Sequence, residues 1–363
     1  MKNILIIGCG VIGLATAYEL SKKKIYNIYI LEKNKIYGQE NSSKNSEVIH
    51  SGVYYKKNSL KNIFCIEGKK LIYNFCKKYK IKFKKCGKLF IATSNLENQY
   101  LNTLKINSNQ NGLKDTKIIS ENNLKKIVPL LNARKALASP SAGIFDVKNF
   151  MQKLFTLSKK NKVRFFFNVK KFNIFKKKQY FFLKINKKEM MFDHVINCAG
   201  IEAISIAKKI FPKHCFPNNL LVPGVYFKTN QNLKINKIIY RAMMPGDIRE
   251  RIDITPCLDG SYIFGPSVEN KAKINKQNLA QIKKKFINGI NSYFPYININ
   301  KLKFMKIGVR PKIMYKKKGI NEDFFIKKVS GYNWVNLFGM ESPGLTASLA
   351  IAKHVTNLIG DKK

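Results

Sequence analysis

The sequence predicts an α/β protein in two parts: a doubly wound parallel sheet assembled from both ends of the chain, and an antiparallel α+β unit inserted into it. Three observations predict this. The N-terminus reads as strand, glycine turn and helix, with the apolar run 4–7 followed by Gly8, Gly10 and Gly13. The C-terminus repeats that logic, with a strand over 334–338 running into Gly339 and then a helix. Between them, residues 219–228, 238–243, 248–255 and 261–265 read as short antiparallel strands. Parallel signatures at the ends around an antiparallel middle mean insertion rather than two consecutive domains. The expected partition is 1–80, 141–210 and 305–363 for the parallel-sheet domain, and 81–140 and 211–304 for the inserted one.

The first 32 residues carry the sharpest signal. Ile4, Leu5, Ile6 and Ile7 form a continuous apolar run suited to a buried parallel strand. Gly8, Gly10 and Gly13 then give G-x-G-x-x-G where a helix over 11–24 begins. The first allows a tight turn, the second lets a pyrophosphate approach bare backbone, and the third lets helix pack closely on strand. Free amides and the positive helix end face the anion. A second strand over 27–31 ends at Glu32, 19 residues past Gly13, where a carboxylate accepts hydrogen bonds from ribose hydroxyls and repels a 2′-phosphate. This is a Rossmann-like dinucleotide site. Lys2 before an apolar stretch imitates a secretory leader, but no small-residue cleavage site follows, and the glycine loop accounts for the pattern.

A polar loop over 35–55 passes into His50-Ser51-Gly52-Val53-Tyr54-Tyr55. A helix follows over 58–80, where Leu60, Phe64, Leu71, Ile72 and Phe75 keep a period near 3.6. Next come a strand over 83–93, helices over 96–112 and 120–128, an irregular stretch over 129–140, a strand over 141–147, a helix over 148–160 and a strand over 163–169. A hairpin-type pair over 179–185 and 189–192 precedes a buried strand over 194–197, closed by Cys198-Ala199-Gly200, and a helix over 202–210. Past the antiparallel run lies a helix over 278–294, with Leu279, Ile282, Phe286, Ile290 and Tyr293 in register. Strands over 304–310, 324–328 and 334–338 lead to a closing helix over 345–358. In the turn before it, Pro343 suits a first helical position. A helix start stabilises nearby negative charge by about 0.3–1 kcal/mol. A reduced flavin is negative at N1 and the C2 carbonyl, so a second such turn suits a flavin ring rather than another phosphate.

Composition narrows the function. The formal charge is +47, yet only Arg134, Arg164, Arg241, Arg249, Arg251 and Arg310 among the 68 basic residues are arginine. Lysines spread over the whole length read as solvated faces, because a nucleic-acid surface concentrates the bidentate arginine fork. No specific nucleic acid is expected, although loose attraction to anionic membrane lipid is. The seven cysteines are odd in number and form no C-x-x-C pair, which fits a reducing, cytoplasmic setting without structural zinc. No metal is expected. Scarcity makes the remaining arginines and the four histidines readable as residues with jobs lysine cannot do.

Eight stretches in order from about residue 3 to 354 carry a resemblance: IIGCGVIGLATAYEL, NSEVIHSGVYYKKNSLK, CGKLFIAT, SAGIFDVKNF, NCAG, DGSYIFGPSVE, GVRPK with NEDFFI, and NLFGMESPGLTASLAIA. The chain resembles the D-amino-acid-oxidase superfamily of FAD-dependent oxidoreductases, and within it the L-2-hydroxyglutarate dehydrogenase/oxidase branch. The resemblance implies noncovalent FAD, with Gly8, Gly10, Gly13 and Glu32 on the ADP half and Lys33 reaching the adenosine. It places Ser43, Asn45 and Ser46 over pyrophosphate and flavin, Val169 against adenine, and Ala199 and Gly200 near the pyrophosphate. Gly339, Met340, Glu341, Ser342, Pro343, Gly344, Leu345 and Thr346 would cup the isoalloxazine.

The implied reaction oxidises a C–H bond alpha to a carboxylate, with hydride passing to flavin N5. His50 is the expected base and Arg310 the carboxylate clamp. Tyr55, Arg241, Arg249, Arg251 and Asp253 are expected on the substrate side. The expected partners are a carboxylate-bearing small molecule and an electron acceptor that is oxygen, a quinone or an electron-transfer flavoprotein. Two positions depart from the branch: Glu47 stands where its members usually carry glycine, and Asp253 where they tend to carry histidine. Asp253 could bind a substrate ammonium, which keeps an amino-acid or amine oxidase open beside a glycerol-3-phosphate-like dehydrogenase. A basic nucleic-acid-binding protein with a vestigial nucleotide fold is the alternative of another class.

Overall fold

In the computed structural model, which describes residues 1–244, 252–269, 276–315 and 319–360, the two ends of the chain meet in one sheet. Its six strands lie in the order Phe325–Lys328, Trp334–Phe338, His194–Asn197, Lys2–Ile7, Tyr26–Leu31, Arg164–Phe166. All neighbours are parallel except Phe325–Lys328, which returns antiparallel onto Trp334–Phe338. The apolar run predicted a strand covered on both faces, and Ile4, Leu5 and Ile6 are fully buried. Register pairs Ile7 with Asn197 and Asn197 with Asn336. The turns after these three strands therefore open on the same edge, where open parallel sheets bind ligands.

Helix packing sharpens that edge. Helix Val11–Ser21 packs against both Val147–Lys160 and the closing helix Gly344–Ile359. Helix Leu60–Lys78 lies so close to the closing helix that a Cβ on Gly68 would sit 2.2 Å from the Thr346 carbonyl oxygen. The first helix stops at Ser21 rather than Lys24, which adopts a left-handed φ of 55°.

The second layer is a nine-stranded sheet. Its order is Gly319–Asn321, Lys303–Tyr315, Asn218–Thr229, Tyr262–Phe264, Ile254–Pro256, Ile238–Arg241, Lys88–Ala92, Lys135–Ser139, Lys117–Ser120. Pairing is antiparallel except between Ile238–Arg241 and Lys88–Ala92. Helix Lys276–Asn291 covers it, burying Ile282, Phe286 and Ile290 with Phe227 and Phe264. A small sheet of Val48–Ile49, Gly143–Phe145 and Phe83–Lys84 joins the layers. Alternation along its first strand puts Val48 in the core of the inserted part and Ile49 in the core beneath the parallel sheet.

Several further elements differ from expectation. Residues 129–140 were expected to be irregular, yet Lys135–Ser139 pairs with Lys88–Ala92; its short, alanine-rich run carries little β signal. The expected strand over 83–93 breaks at Gly87, where φ is +76°. Strand Asn173–Lys177 completes an antiparallel meander with Tyr180–Ile185 and Lys188–Phe192, where only a pair was expected. Strand Lys303–Tyr315 continues through Pro311, past the expected end at 310. The expected boundary at 305 thus falls inside a strand of the large sheet.

Candidate active site

The glycine turn leaves no room for side chains. Gly8 has φ +97°, and a Cβ there would meet the Cys198 carbonyl oxygen at 2.6 Å; at Gly13 it would meet the Gly8 oxygen at 2.1 Å. The Gly8 N–H donates to the Leu31 carbonyl at 2.8 Å, locking the turn to the second strand. Glu32, 8% exposed, accepts from the Cys9 N–H at 2.8 Å and the Asn34 N–H at 2.9 Å. The Val169 N–H donates to the Glu32 carbonyl, which sets Val169 beside this acid. Ala199 packs on Gly8, and Gly200 follows at φ +58°. A bare-backbone turn, a helix start with no acid in its first turn and a buried carboxylate at the strand end fit the pyrophosphate and ribose of FAD.

Lys33, expected to reach the adenosine, has its ammonium paired with Glu202 at 2.7 Å and Glu40 at 3.5 Å. Ser43 is exposed and bonds the Glu40 carbonyl. Its neighbour Ser42, which the sequence reading missed, accepts the Val11 N–H at 2.9 Å and would block a Cβ on Gly10 at 2.8 Å. Asn45 shapes this loop, donating to the Ser42 carbonyl at 2.8 Å and accepting from the Glu47 N–H at 2.9 Å. Ser46 lies half-buried between them.

The far end of the chain closes on the other side. Gly339 at φ +70° turns the strand, and the Glu341 and Gly344 N–H groups fold back onto the Gly339 and Glu341 carbonyls. Glu341 is held by Lys61 at 2.8 Å and Lys312 at 3.6 Å. Met340 and Pro343 complete the loop between Gly339 and the closing helix, and Leu345 lies in that helix's first turn. Thr346 Oγ1, fully buried, accepts the His50 N–H at 3.0 Å and donates to the Val48 carbonyl at 3.2 Å. Ser342 Oγ lies 3.1 Å from His50 Nε2, and Lys88 Nζ lies 3.3 Å from Nδ1. His50 is thus fixed by residues almost three hundred positions away.

Of the residues expected to meet substrate, Arg310 stands half-buried with one guanidinium nitrogen 2.9 Å from the Ser267 carbonyl and another 3.5 Å from that of Pro223. The backbone of its neighbour Val309 is clamped by the Asn41 side chain, whose Nδ2 donates to the Val309 carbonyl at 2.5 Å and whose Oδ1 accepts the Val309 N–H at 3.0 Å. That ties the strand to the cofactor loop. Burial, eased by Arg310 and reinforced by Asp253, pushes the Tyr226 phenol up to about 12. Asp253 is 2% exposed. Tyr55 is half-buried with its carbonyl held by Asn111 at 2.8 Å. Arg241 is committed elsewhere: Glu97 accepts from Nε at 2.8 Å, and Ser292 and Thr93 take the other nitrogens at 3.2 Å. This buried pair corrects the expectation of substrate contact. Arg249 and Arg251 lie outside the described residues.

Glu47 adopts φ +59°, the left-handed backbone that glycine supplies at no steric cost. Its side chain is half-buried. Burial raises its carboxyl above the usual range, against the pull of Lys306.

The family described as FAD dependent oxidoreductase matches residues 3–358. The mitochondrial L-2-hydroxyglutarate dehydrogenase of Arabidopsis thaliana is 33% identical over 404 aligned positions, covering 98% of this chain and 83% of that protein. The glycerol 3-phosphate dehydrogenase of Caloramator mitchellensis is 26% identical, covering 99% of this chain and 74% of that protein. Among solved structures, the L-alpha-glycerophosphate oxidase of Mycoplasma pneumoniae with FAD bound superposes with a TM-score of 0.84 at 26% identity, covering 99% of this chain and 95% of that one.

Proposed function

The chain belongs to the FAD-dependent oxidoreductase family, and on that premise we propose that it oxidises a small 2-hydroxy acid of the L-2-hydroxyglutarate type to the 2-oxo acid. The observation that carries this reading is His50, held at both ring nitrogens and its own N–H where the two chain ends meet. When bound, FAD supplies the two-electron acceptor. Gly8, Gly10, Gly13, Glu32 and Ser42 would hold its ADP half, with Asn45, Ser46 and the loop from Gly339 to Thr346 around the ring. The likeness to proteins named for a CH–OH substrate favours an alcohol over an amine.

The chain's own groups divide the remaining work. Arg310 presents a planar fork with no carboxylate partner among the described residues, so it can bind a substrate carboxylate and orient the C–H bond. His50 then receives the hydroxyl proton, a role an imidazole fills near neutral pH. Whether oxygen, a quinone or an electron-transfer flavoprotein removes the electrons, this half of the reaction is the same. No helix among the described residues is long and apolar enough to cross a membrane.

A second reading, glycerol 3-phosphate oxidation, is favoured by the glycerophosphate oxidase likeness and by the equal fit of an arginine fork to phosphate. Dye-linked turnover separates them. L-2-hydroxyglutarate should be the preferred substrate over its D enantiomer, glycerol 3-phosphate and glycine. Preference for glycerol 3-phosphate would transfer the assignment to the second reading.

A further inference from the structure

Lys61 is a buried lysine in the first turn of helix Leu60–Lys78. Its Nζ donates to Glu341 Oε1 at 2.8 Å, with the two side chains only 10% and 9% exposed. The same ammonium lies 5.7 Å from the centroid of the Phe324 ring. Asp323, next to that ring, accepts the Lys61 N–H at Oδ1 and the Leu60 N–H at Oδ2, each at 2.8 Å. Asp323 and Phe324 precede strand Phe325–Lys328, which pairs with Trp334–Phe338, and this second strand delivers the loop that carries Glu341. The contacts close a ring. They run from the Lys61 backbone to Asp323, through the strand pair to the loop, and back to Lys61 Nζ.

We infer that Lys61 is a positioning residue, which latches Glu341 so that the neighbouring Ser342 stays against His50. This deepens the proposed 2-hydroxy-acid oxidation and rests on it. Glu341 is the pivot of the loop: its N–H donates to the Gly339 carbonyl at 2.7 Å, and its carbonyl accepts the Gly344 N–H at 2.6 Å. Ser342 follows, with Oγ 3.1 Å from His50 Nε2. A buried ion pair is a poor device for stability alone, because well-packed apolar side chains of similar volume often hold a fold as well. What it adds is direction. An ammonium fixed through its own backbone and against a ring admits the carboxylate at one place, in a charge-assisted bond. Lys312 shows what the latch opposes. It approaches the same Oε1 at 3.6 Å from strand Lys303–Tyr315, with its side chain 30% exposed. Without Lys61, Lys312 alone would draw the carboxylate toward the large sheet, and Ser342 would leave His50.

The other anchors of this region act elsewhere. Thr346 Oγ1 holds the His50 N–H at 3.0 Å, which fixes the backbone of His50 rather than its ring. The close approach of Gly68 to the Thr346 carbonyl seats the closing helix downstream of Ser342. Among the described residues, Lys61 and Lys312 are the ion-pair partners of Glu341. The tighter and more buried of the two is Lys61.

The test compares Lys61→Met and the double variant Lys61→Met/Glu341→Met with wild type in the FAD-loaded protein. The single variant removes one partner of a buried pair, so its denaturation midpoint should fall. The double variant removes both charges, and its midpoint should return toward wild type. Anaerobic flavin bleaching by L-2-hydroxyglutarate should part company with stability. It should be about tenfold slower or more in both variants, with half-saturation little changed because Arg310 is untouched. Bleaching in the double variant within about threefold of wild type would overturn the proposal and leave the pair a stabilising contact only. A second readout needs no substrate: the ring nitrogen-15 signals of His50, one of only four histidines. Withdrawal of Ser342 from Nε2 should move them in both variants, and signals unchanged from wild type in both would overturn the latch even if bleaching slows. Wild type that L-2-hydroxyglutarate does not bleach, with His50 signals that do move on substitution, would support the latch and count against the substrate assignment.

Discussion

Replacing Thr346 by valine tests how the two chain ends are joined at the site. Thr346 Oγ1 is fully buried and makes two bonds, accepting the His50 N–H at 3.0 Å and donating to the Val48 carbonyl at 3.2 Å. Valine keeps the shape and removes both. A buried polar group left without its partner costs about 1–3 kcal/mol, so losing both partners should destabilise by at least about 2 kcal/mol. Serine is the control: it keeps the hydroxyl and loses one methyl, worth about 0.8 kcal/mol. Chemical denaturation followed by tryptophan fluorescence reports the global effect, because Trp334 lies fully buried in the parallel sheet. The expected order is wild type, then Thr346→Ser, then Thr346→Val. Flavin bleaching should fall further in the valine variant, because the strand carrying His50 is no longer pinned. Equal stability and equal bleaching rates in the two variants would refute this joint.

Three other predictions address separate parts of the site. Gly13→Ala sets a Cβ 2.1 Å from the Gly8 carbonyl oxygen, backbone against backbone, so the turn must open; the variant should purify folded but pale, and FAD retained at the wild-type ratio would contradict the turn's role. Glu47 has a carboxyl raised by burial, so the folded state holds that proton more tightly than the unfolded chain, where the pKa is about 4.3. Its contribution is present below that value and lost as pH rises through the higher folded one, so the stability of Glu47→Gln relative to wild type should grow across that window and then level off; a pH-independent difference would tell against it. Glu47→Gly should gain about 1 kcal/mol more by relieving the left-handed backbone. Arg310→Lys keeps the charge but loses the fork, so half-saturation by substrate should rise about tenfold or more, the equivalent of one charge-assisted bond; an unchanged value would remove Arg310 from substrate binding.

What the sequence revealed follows from where the determining interactions lie. Gly8, Gly10 and Gly13 are demanded by local backbone geometry, so a short stretch displayed them, and the strand over Trp334–Phe338 has the bounds its apolar run predicts. Arg241 shows the limit. Its rarity pointed to the substrate, but the structure shows a buried pair with Glu97, 144 positions away. Lys88 was hidden because lysine is this chain's default cation, and nothing local separates a buried lysine from a solvated one. Ser42 and Ser43 are indistinguishable in a polar loop until the fold turns only the first toward the helix start. Lys135–Ser139 becomes a strand because Lys88–Ala92 and Lys117–Ser120 lie on either side of it, not because its residues favour one.

The central claim is that both ends of this chain enclose one FAD and present a 2-hydroxy acid to it beside His50 and Arg310. Anaerobic addition of a single equivalent of L-2-hydroxyglutarate to the FAD-loaded protein tests it most directly. Full loss of the visible flavin absorbance, with one equivalent of 2-oxoglutarate formed, is the predicted result. A flavin that stays oxidised with this acid and with every other 2-hydroxy acid offered, while an amine or glycerol 3-phosphate reduces it, would contradict the account.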